Sequence, residues 1–389
     1  MKKIVFYSVV LNHHQACVAD AFYRLLGDDY AFVETTNCRD NKGGIEDYSQ
    51  RPYLIKSWES KESFDMAMRL ATTAEACVFA GNECLSFEIS RLKKGLLSFD
   101  MGERMLKRGV LNLLSPHVLK KLFVHHIYRW EYKDLYKLCC SSFARVDLEY
   151  LGIYKDKCYK WGYFTQVDES FDVEASILDA STSEIIPLMW CSRFLTLKHP
   201  ELPVQMAAKL KAKGYKFRID MYGDEGNAAK HDAVYPCKKL KELIAELGVE
   251  DCVHLMGNRP NGEILDAMRK SSIFLFTSDR HEGWGAVANE SLSNGCILVA
   301  SDAIGSTPYL IKDGYNGFYF KSCDVKSLAE KVEWLINHPI EMNCMKQNAY
   351  DRMRKMWSPN HAAKSLLQLI NDLQNHRQTT IVEGPCSRA

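Results

Sequence analysis

The second half of the chain alternates short apolar stretches with helical patterns, and this alternation limits the folds open to it. Helical patterns such as residues 204–213 and 240–247 separate the apolar stretches. The predicted strands are residues 185–194, 215–222, 253–256, 273–277, 297–301 and 317–320. Strands that alternate with helices form parallel sheets covered by helices. The sequence therefore predicts an α/β domain with a doubly wound parallel sheet over residues 185–360.

The first half shows the same alternation less regularly. A strand at residues 4–10, a helix at 15–26 and further strands at 31–35 and 77–80 predict a second Rossmann-like domain over residues 1–166. Residues 167–184 are polar at both ends and have no clear period, so we interpret them as a linker. Residues 361–389 are predicted to form a helix and tail that return toward the first domain, with residues 378–389 as a loose end.

Composition narrows the class of protein. The chain has 389 residues, enough for two α/β domains with full cores. Hydrophobic residues make up 47% and charged residues 25%, which is ordinary for a globular protein. A net charge of +1 gives no support to nucleic-acid binding. The fourteen cysteines are scattered and no apolar run reaches about 20 residues, so we expect reduced thiols in a cytoplasmic protein without a membrane span.

Two glutamates follow the predicted strand at residues 273–277. Glu282 lies on the loop after the strand, and Glu290 lies about one turn into the next helix. In open parallel sheets, ligands bind at the carboxyl ends of the strands. A carboxylate only accepts hydrogen bonds, which suits the vicinal hydroxyls of a sugar. The pair fits a sugar nucleotide whose diphosphate lies over the backbone N–H groups between them. A solvated acidic loop followed by a helix-surface glutamate fits the spacing equally well.

The residues around this pair resemble the retaining family-4 glycosyltransferases of the GT-B fold. Those proteins contain two glutamates separated by seven residues in a run similar to residues 282–290. The similarity extends to Asn294, Gly295, Ser301, Asp302, Gly305 and residues 313–317. The resemblance implies a GT-B fold, in which two Rossmann-like domains with parallel sheets face a cleft. The sequence departs from the family at Asn289, where an apolar residue is usual, and at Cys296, where proline is frequent.

The resemblance also implies a donor site. Arg193 and Lys198 match family positions that contact the donor diphosphate. Arginine offers a planar fork and lysine a mobile point charge, and both suit phosphate. From the local sequence alone, the two could be surface bases beside a turn. Glu282 is expected to bind the transferred sugar, and Glu290 the ribose.

Loop residues complete the expected site. Gly283, Gly285 and the backbone of Ala286 and Val287 are predicted to surround the diphosphate, because glycine lets a ligand approach the backbone closely. The remaining substrate-binding candidates are Gly223, Arg259 and Trp284. No Asp-x-Asp pair occurs, so we expect no metal and no cofactor, with a nucleoside diphosphate sugar as the substrate. Arg193 and Lys198 would supply the positive field that a metal supplies elsewhere.

Residues 91–137 form an unusually basic segment. They contain eleven Lys or Arg residues against four acids, a net charge of +7, and aliphatic and aromatic residues are interleaved with them. Such a segment suits a helix lying in a membrane interface. An amphipathic helix pair packed into the core is an equal alternative. Residues 102–107 of this segment and residues 160–164 also resemble a subgroup that builds bacterial capsule or O-antigen on lipid-linked acceptors at the cytoplasmic membrane face.

His14 follows the first predicted strand. In the capsule-type subgroup a His-Gln pair stands here, so His14 is a candidate to hydrogen-bond the acceptor or the transferring sugar. A polar helix cap is the alternative. The resulting hypothesis is a retaining hexosyltransferase that acts on a glycan or polyprenyl-linked acceptor in surface polysaccharide biosynthesis. A nucleotide-sugar epimerase of GT-B fold and a non-catalytic scaffold subunit remain alternatives.

Overall fold

The computed structural model describes residues 1–37, 48–107, 109–114, 116, 119, 134–181, 183–226 and 233–389. The described chain divides into two compact units. Unit 1 comprises Met1–Thr165 and Trp357–Ala389, and unit 2 comprises Gln166–Met356.

Unit 1 is built on a sheet of seven parallel strands. The strands are β1 (Ile4–Ser8), β2 (Tyr30–Glu34), β3 (Leu54–Lys56), β4 (Ala76–Ala80), β5 (Ser98–Gly102), β6 (Leu135–Cys139) and β7 (Cys158–Lys160). Their order across the sheet is β3-β2-β1-β4-β5-β6-β7. The helices are α1 (His13–Leu26), α2 (Lys61–Thr73), α3 (Leu85–Leu92), α4 (Ser142–Tyr150) and the last helix of the chain, Pro359–Gln374.

The central strands of unit 1 are apolar, as expected for a parallel sheet that is covered on both faces. Every residue of β1 and β2 is buried, as is typical of parallel strands packed on both sides. Helix α1 begins at the Asn12 cap, whose side chain accepts a hydrogen bond from the backbone N–H of His14. The helix Pro359–Gln374 packs against α1, and Arg24 donates a hydrogen bond to Asn360 at 2.9 Å.

Unit 2 contains a sheet of six parallel strands. The strands are β8 (Ile186–Cys191), β9 (Phe217–Tyr222), β10 (Val253–Gly257), β11 (Ile273–Phe276), β12 (Ile297–Ser301) and β13 (Gly317–Phe320). Their order is β10-β9-β8-β11-β12-β13. The helices are α5 (Val173–Ser181), α6 (Glu201–Ala212), α7 (Cys237–Glu246), α8 (Asn261–Lys270), α9 (Val287–Ser293), α10 (Thr307–Leu310), α11 (Val325–Asn337) and α12 (Pro339–Lys355).

The predicted fold class is confirmed: the chain is an α/β protein with two Rossmann-like units of parallel strands. Two local features differ from the expectation. The segment 167–184 contains the helix α5, which packs against α12 within unit 2. The end of the chain is not loose, because Cys386 is fully buried and its backbone N–H donates to the carbonyl of Lys160 at 2.8 Å.

Several bases of the segment 91–137 belong to the protein interior. Arg91 is fully buried, and its guanidinium donates hydrogen bonds to four backbone carbonyls. Those carbonyls belong to Ala71, Ala74, Glu75 and Leu97. Lys137 is buried and pairs with Asp100 at 2.8 Å. These two bases therefore stabilise unit 1 and do not face a membrane.

The rest of this segment divides into a described part and an undescribed part. Arg104 pairs with Asp147 at 2.9 Å, and Lys107 pairs with Glu103 at 2.7 Å. The side chains of Val110, Leu111, Leu114 and Leu119 are exposed. Positions 108, 115, 117, 118 and 120–133, with five of the bases, lie outside the described residues. None of the helices in the described ranges combines the length and the apolar character that a membrane crossing requires.

Candidate functional site

The candidate residues of unit 2 lie at the carboxyl edge of its sheet. Strands β9, β8 and β11 are neighbours, and each leads into a loop that contains candidates. Arg193 follows β8, Gly223 follows β9, and Glu282 follows β11. Glu290 lies in the first turn of α9, as expected from the sequence. Because parallel strands end at one edge, residues far apart in sequence meet there.

Lys198 and Glu282 form the central pair of this edge. Their ammonium and carboxylate groups are hydrogen-bonded, and both side chains are largely buried, at 14% and 12% exposure. The hydroxyl of Ser278 donates to the same Glu282 oxygen at 3.0 Å. The structure thus brings together a cation and a carboxylate that are 84 residues apart in sequence. An ion pair shielded from water is held more firmly than one on an open surface.

Glu290 is the second glutamate of this edge. Burial raises the pKa of its carboxyl group to about 7. The thiol of Cys191, at the end of β8, interacts with both Glu290 and Lys198. Burial raises the pKa of this thiol to about 12, with a further increase from Glu290 and a decrease from Lys198. The thiol therefore lies within electrostatic range of both the second glutamate and the lysine.

Two glycines at this edge are required by the packing. Gly223 has φ of 122°, and a Cβ there would lie 1.9 Å from the carbonyl oxygen of Ser192. Gly285 has φ of 74°, and a Cβ there would lie 2.3 Å from the ring of Phe276. Any side chain at either position would displace the loop. Gly223 brings the backbone of two neighbouring loops into contact, and Gly285 lets the backbone lie against the Phe276 ring.

The Trp284 side chain faces the interior of unit 2. It is fully buried, and its indole N–H donates to Asn289 Oδ1 at 2.7 Å. The backbone carbonyl of Trp284 accepts a hydrogen bond from the Ser306 hydroxyl. The indole therefore supports the loop between the two glutamates and offers no surface to a ligand. Asn289, which departs from the family pattern, provides the acceptor that a buried indole requires.

The other candidates occupy different surroundings. Arg193 and Arg259 are exposed, and Arg259 Nε donates to the carbonyl of Met256 at 3.2 Å. Gly283 is buried, whereas Ala286 and Val287 are partly exposed at the start of α9. In this turn the N–H of Ala288 donates to the carbonyl of Gly285 at 3.0 Å. The first N–H groups of a helix generally have no partner within the helix and can bind an acceptor.

His14 belongs to unit 1. Its ring stacks on Tyr163, with 5.4 Å between the ring centroids, and its Nδ1 has no hydrogen-bond partner in the described part of the chain. Burial, with a smaller effect of His13, lowers the pKa of His14 to about 4. The imidazole is therefore neutral at physiological pH and can act as a hydrogen-bond donor or acceptor.

Residues that the sequence analysis did not identify hold the turn containing Lys198. The Thr277 hydroxyl donates to the carbonyl of Lys198 at 2.6 Å and accepts from the Trp190 indole at 2.9 Å. His199 and Asp279 lie in the same cluster. No local pattern marks this cluster, because its members come from β8, β11 and the loops after them. Within the described ranges, His, Cys, Asp and Glu residues nowhere form a group of three or more suited to a metal ion.

Comparison with known proteins agrees with this architecture. Residues 183–352, which include all six strands of unit 2, match the family described as Glycosyl transferases group 1. A curated relative, the D-inositol 3-phosphate glycosyltransferase of Stackebrandtia nassauensis, is 25% identical over 211 residues. That alignment covers 53% of this chain and 46% of the relative, so the chain spans less than half the length of this relative.

Solved structures extend the likeness to the whole fold. Anabaena Alr3699/HepE in complex with UDP aligns with a TM-score of 0.65 and 15% identity, covering 97% of this chain and 100% of that one. The same protein has also been solved with UDP-glucose. The lipopolysaccharide outer core galactosyltransferase WaaB aligns with a TM-score of 0.62 and 14% identity, covering 91% and 99% of the two chains.

These comparisons define the class of protein. The chain has the GT-B fold. Residues 183–352 match the model of the group 1 glycosyltransferase family, and the site at the carboxyl edge lies within the matched residues.

The hydrogen bond between Trp284 and Asn289 gives a prediction about stability. Asn289→Leu should leave the buried indole N–H without an acceptor and destabilise the protein by about 1–3 kcal/mol. The loss should be smaller in a Trp284→Phe background, because no N–H remains to be satisfied. Urea denaturation of the four proteins measures this coupling. Equal losses in both backgrounds would contradict the assigned role of Asn289.

Proposed function

We propose that this protein transfers a hexose from a nucleoside diphosphate sugar to a glycan acceptor with retention of anomeric configuration. The observation that supports this most is the buried Lys198–Glu282 pair, which lies together with Glu290 at the carboxyl edge of the sheet, within the residues that match the group 1 glycosyltransferase family. The Anabaena protein of similar fold binds UDP and UDP-glucose, which supports a nucleotide-sugar donor here.

On donor binding, the ion pair between Lys198 and Glu282 would open, and each side chain would contact the donor. Glu282 accepts hydrogen bonds from the hydroxyls of the transferred sugar, while Lys198 moves its charge to the diphosphate. Arg193 and the backbone N–H groups of Gly285, Ala286 and Val287 add further positive potential. Gly223 and Gly283 provide close backbone approach, and Arg259 lies on the loop proposed for the base. Neither half of the ion pair is left buried and uncompensated.

The proposed catalysis depends on stabilising the negative charge that develops during the reaction. As the bond to the sugar breaks, negative charge grows on the leaving diphosphate, and Arg193 and Lys198 stabilise that charge. The diphosphate itself takes the proton of the acceptor hydroxyl, so no protein carboxylate has to act as the base. These two cations supply the charge that would otherwise require a metal ion. His14, neutral at physiological pH, is proposed to hydrogen-bond the acceptor or the transferring sugar.

The first test is donor binding without metal. In EDTA, one of a panel of UDP, GDP and ADP sugars should raise the melting temperature and bind with the same affinity as with magnesium or manganese. Binding that requires the metal would overturn the metal-free proposal. NMR of the bound donor tests the rival function, since an epimerase would convert the sugar without an acceptor. A protein that binds none of these sugars would instead favour the scaffold alternative.

Glu290 is proposed to hold the donor ribose, and its raised pKa makes binding pH-dependent. Below about pH 7 the free protein holds the Glu290 proton, and the neutral group accepts hydrogen bonds less strongly than a carboxylate. Donor affinity should therefore fall about tenfold from pH 8 to pH 6, as expected for loss of one proton on binding. The diphosphate of a nucleotide sugar does not titrate in this range.

Calorimetry on two variants isolates the contribution of Glu290 to the pH dependence of donor affinity. Glu290→Gln should bind the donor weakly at pH 8 and lose the pH dependence between pH 6 and 8. Glu242→Gln, at an exposed position of the same unit, should behave as wild type. A Glu290→Gln protein that keeps wild-type affinity and pH dependence would remove Glu290 from the site.

The acceptor is proposed to be a glycan, lipid-linked through a polyprenyl carrier, in the biosynthesis of surface polysaccharide at the inner face of the cytoplasmic membrane. The likeness to capsule-type sequences supports this, as do the exposed apolar side chains of Val110, Leu111, Leu114 and Leu119 in a basic segment. The name of the Stackebrandtia relative specifies an inositol phosphate acceptor, and that of WaaB a lipopolysaccharide core.

Vesicle flotation tests the membrane contact. The protein should bind vesicles that contain phosphatidylglycerol, and binding should fall with salt because surface attraction is screened. Leu111 and Leu114 are 81% and 76% exposed, so replacing both with Gln should weaken binding without unfolding. Ile340→Gln, at 76% exposure in unit 2, is the matched control. Failure of the wild-type protein to float would contradict the proposed membrane contact.

A further inference from the structure

His199 has a backbone conformation that is uncommon for a residue with a side chain. It directly follows Lys198 and lies in the left-handed region, with φ of 50° and ψ of 56°. Outside glycine, this region is favoured mainly by Asn, Asp and His, and it usually requires support from surrounding contacts. The conformation ends the short 3₁₀ turn Thr196–Lys198 and reverses the chain into helix α6.

The backbone carbonyls of this turn accept hydrogen bonds from residues that directly follow strand β11. The backbone N–H of Asp279 donates to the carbonyl of Leu197 at 2.9 Å. The Thr277 hydroxyl donates to the carbonyl of Lys198 at 2.6 Å and lies 3.3 Å from the carbonyl of His199. Two consecutive carbonyls are therefore fixed to the segment between strand β11 and Glu282.

The His199 side chain closes the same connection from the other side. Its Nδ1 lies 2.8 Å from Glu201 Oε1, and its Nε2 lies 3.5 Å from Asp279 Oδ2. The thiol of Cys323 lies 3.5 Å from Nε2, and His281 shares Asp279 through its second oxygen at 2.9 Å. The imidazole thus connects α6, the loop after β11 and the loop after β13.

The charges on this cluster favour the imidazolium form. Hydrogen bonds with Asp279 and Glu201 raise the pKa of His199 to about 10. Burial works against ionisation of Asp279, yet hydrogen bonds from His199 and His281 lower its pKa to about 2. At neutral pH the cluster therefore consists of a cation held between two carboxylates.

We propose that His199 is a positioning residue that fixes the turn containing Lys198 and thereby directs the Lys198 ammonium group toward the donor diphosphate. The inference rests on the proposed function for its consequence in donor binding. The structural part of the proposal does not depend on a ligand. The turn, the contacts that hold the His199 imidazole (the His199 clamp) and the Lys198–Glu282 pair are all present in the free protein.

The test uses His199→Asn, because asparagine tolerates the left-handed conformation and is uncharged. Two quantities are measured at pH 7.5: the Kd for whichever of UDP, GDP and ADP binds best, and the rate at which acetic anhydride labels Lys198, read by mass spectrometry. Lys198 is shielded in its pair with Glu282, at 14% exposure, whereas Lys326 is 82% exposed and serves as an internal reference.

In His199→Asn, Lys198 should be labelled at least about fivefold faster relative to Lys326, and the Kd should rise about fivefold. His376 is also a left-handed histidine, with φ of 53°, and it is exposed in unit 1. His376→Asn should change neither quantity. If His199→Asn does not fold, Glu201→Gln removes one carboxylate of the clamp and should produce the same changes at smaller size.

The outcomes separate the inference from the proposed function. Unchanged Lys198 labelling and unchanged Kd in a folded variant would overturn the positioning role. A rise in labelling that is specific to Lys198 supports that role even without a ligand. A wild-type protein that binds no nucleoside diphosphate would contradict the proposed function and leave the labelling result to decide the role of His199.

Discussion

The ion pair between Lys198 and Glu282 is the contact on which the site of unit 2 depends. It joins the loop after β8 to the loop after β11, and both groups are withdrawn from water. A buried charge costs several kcal/mol unless it is compensated, so each group needs the other when no ligand is present. A substrate that offers an anion to the lysine and hydroxyls to the glutamate satisfies both. A nucleoside diphosphate sugar contains these two groups side by side.

The surrounding structure limits the movement of both partners. Thr277 donates a hydrogen bond to the carbonyl of Lys198, and the clamped residue His199 directly follows Lys198 in the chain. Around Glu282, Ser278 donates to its carboxylate, and the buried indole of Trp284 holds the following loop against Asn289. Preorganised groups of this kind are effective because they need little rearrangement when charge develops on a substrate.

The sequence predicted the elements of unit 2 closely because its strands are short apolar runs bounded by polar turns. Strand β12 was predicted within one residue or better at each end. Unit 1 was harder, since β3 and β7 have three residues each and are too short to show a period. For Arg91 the local sequence leaves the membrane and core interpretations open, because it shows only a base in a basic segment. The four carbonyls that surround the Arg91 guanidinium converge only in the fold.

The sequence predicts where the candidate residues lie on the sheet, but it does not predict which residues their side chains contact. Glu282 and Glu290 follow a strand, which is enough to assign them to the carboxyl edge. Local sequence does not show that Lys198 would face Glu282, or that the Trp284 indole would turn inward to Asn289. The left-handed backbone of His199 has no sequence signal, because histidine is not restricted to that conformation.

The measurement that tests the central claim most directly is a crystal structure with the nucleoside diphosphate sugar that most raises the melting temperature. Our account predicts that Lys198 leaves Glu282 for the diphosphate, that Glu282 contacts hydroxyls of the transferred sugar, and that Glu290 contacts the ribose. An intact Lys198–Glu282 pair, with the donor bound away from the carboxyl edge of unit 2, would contradict it.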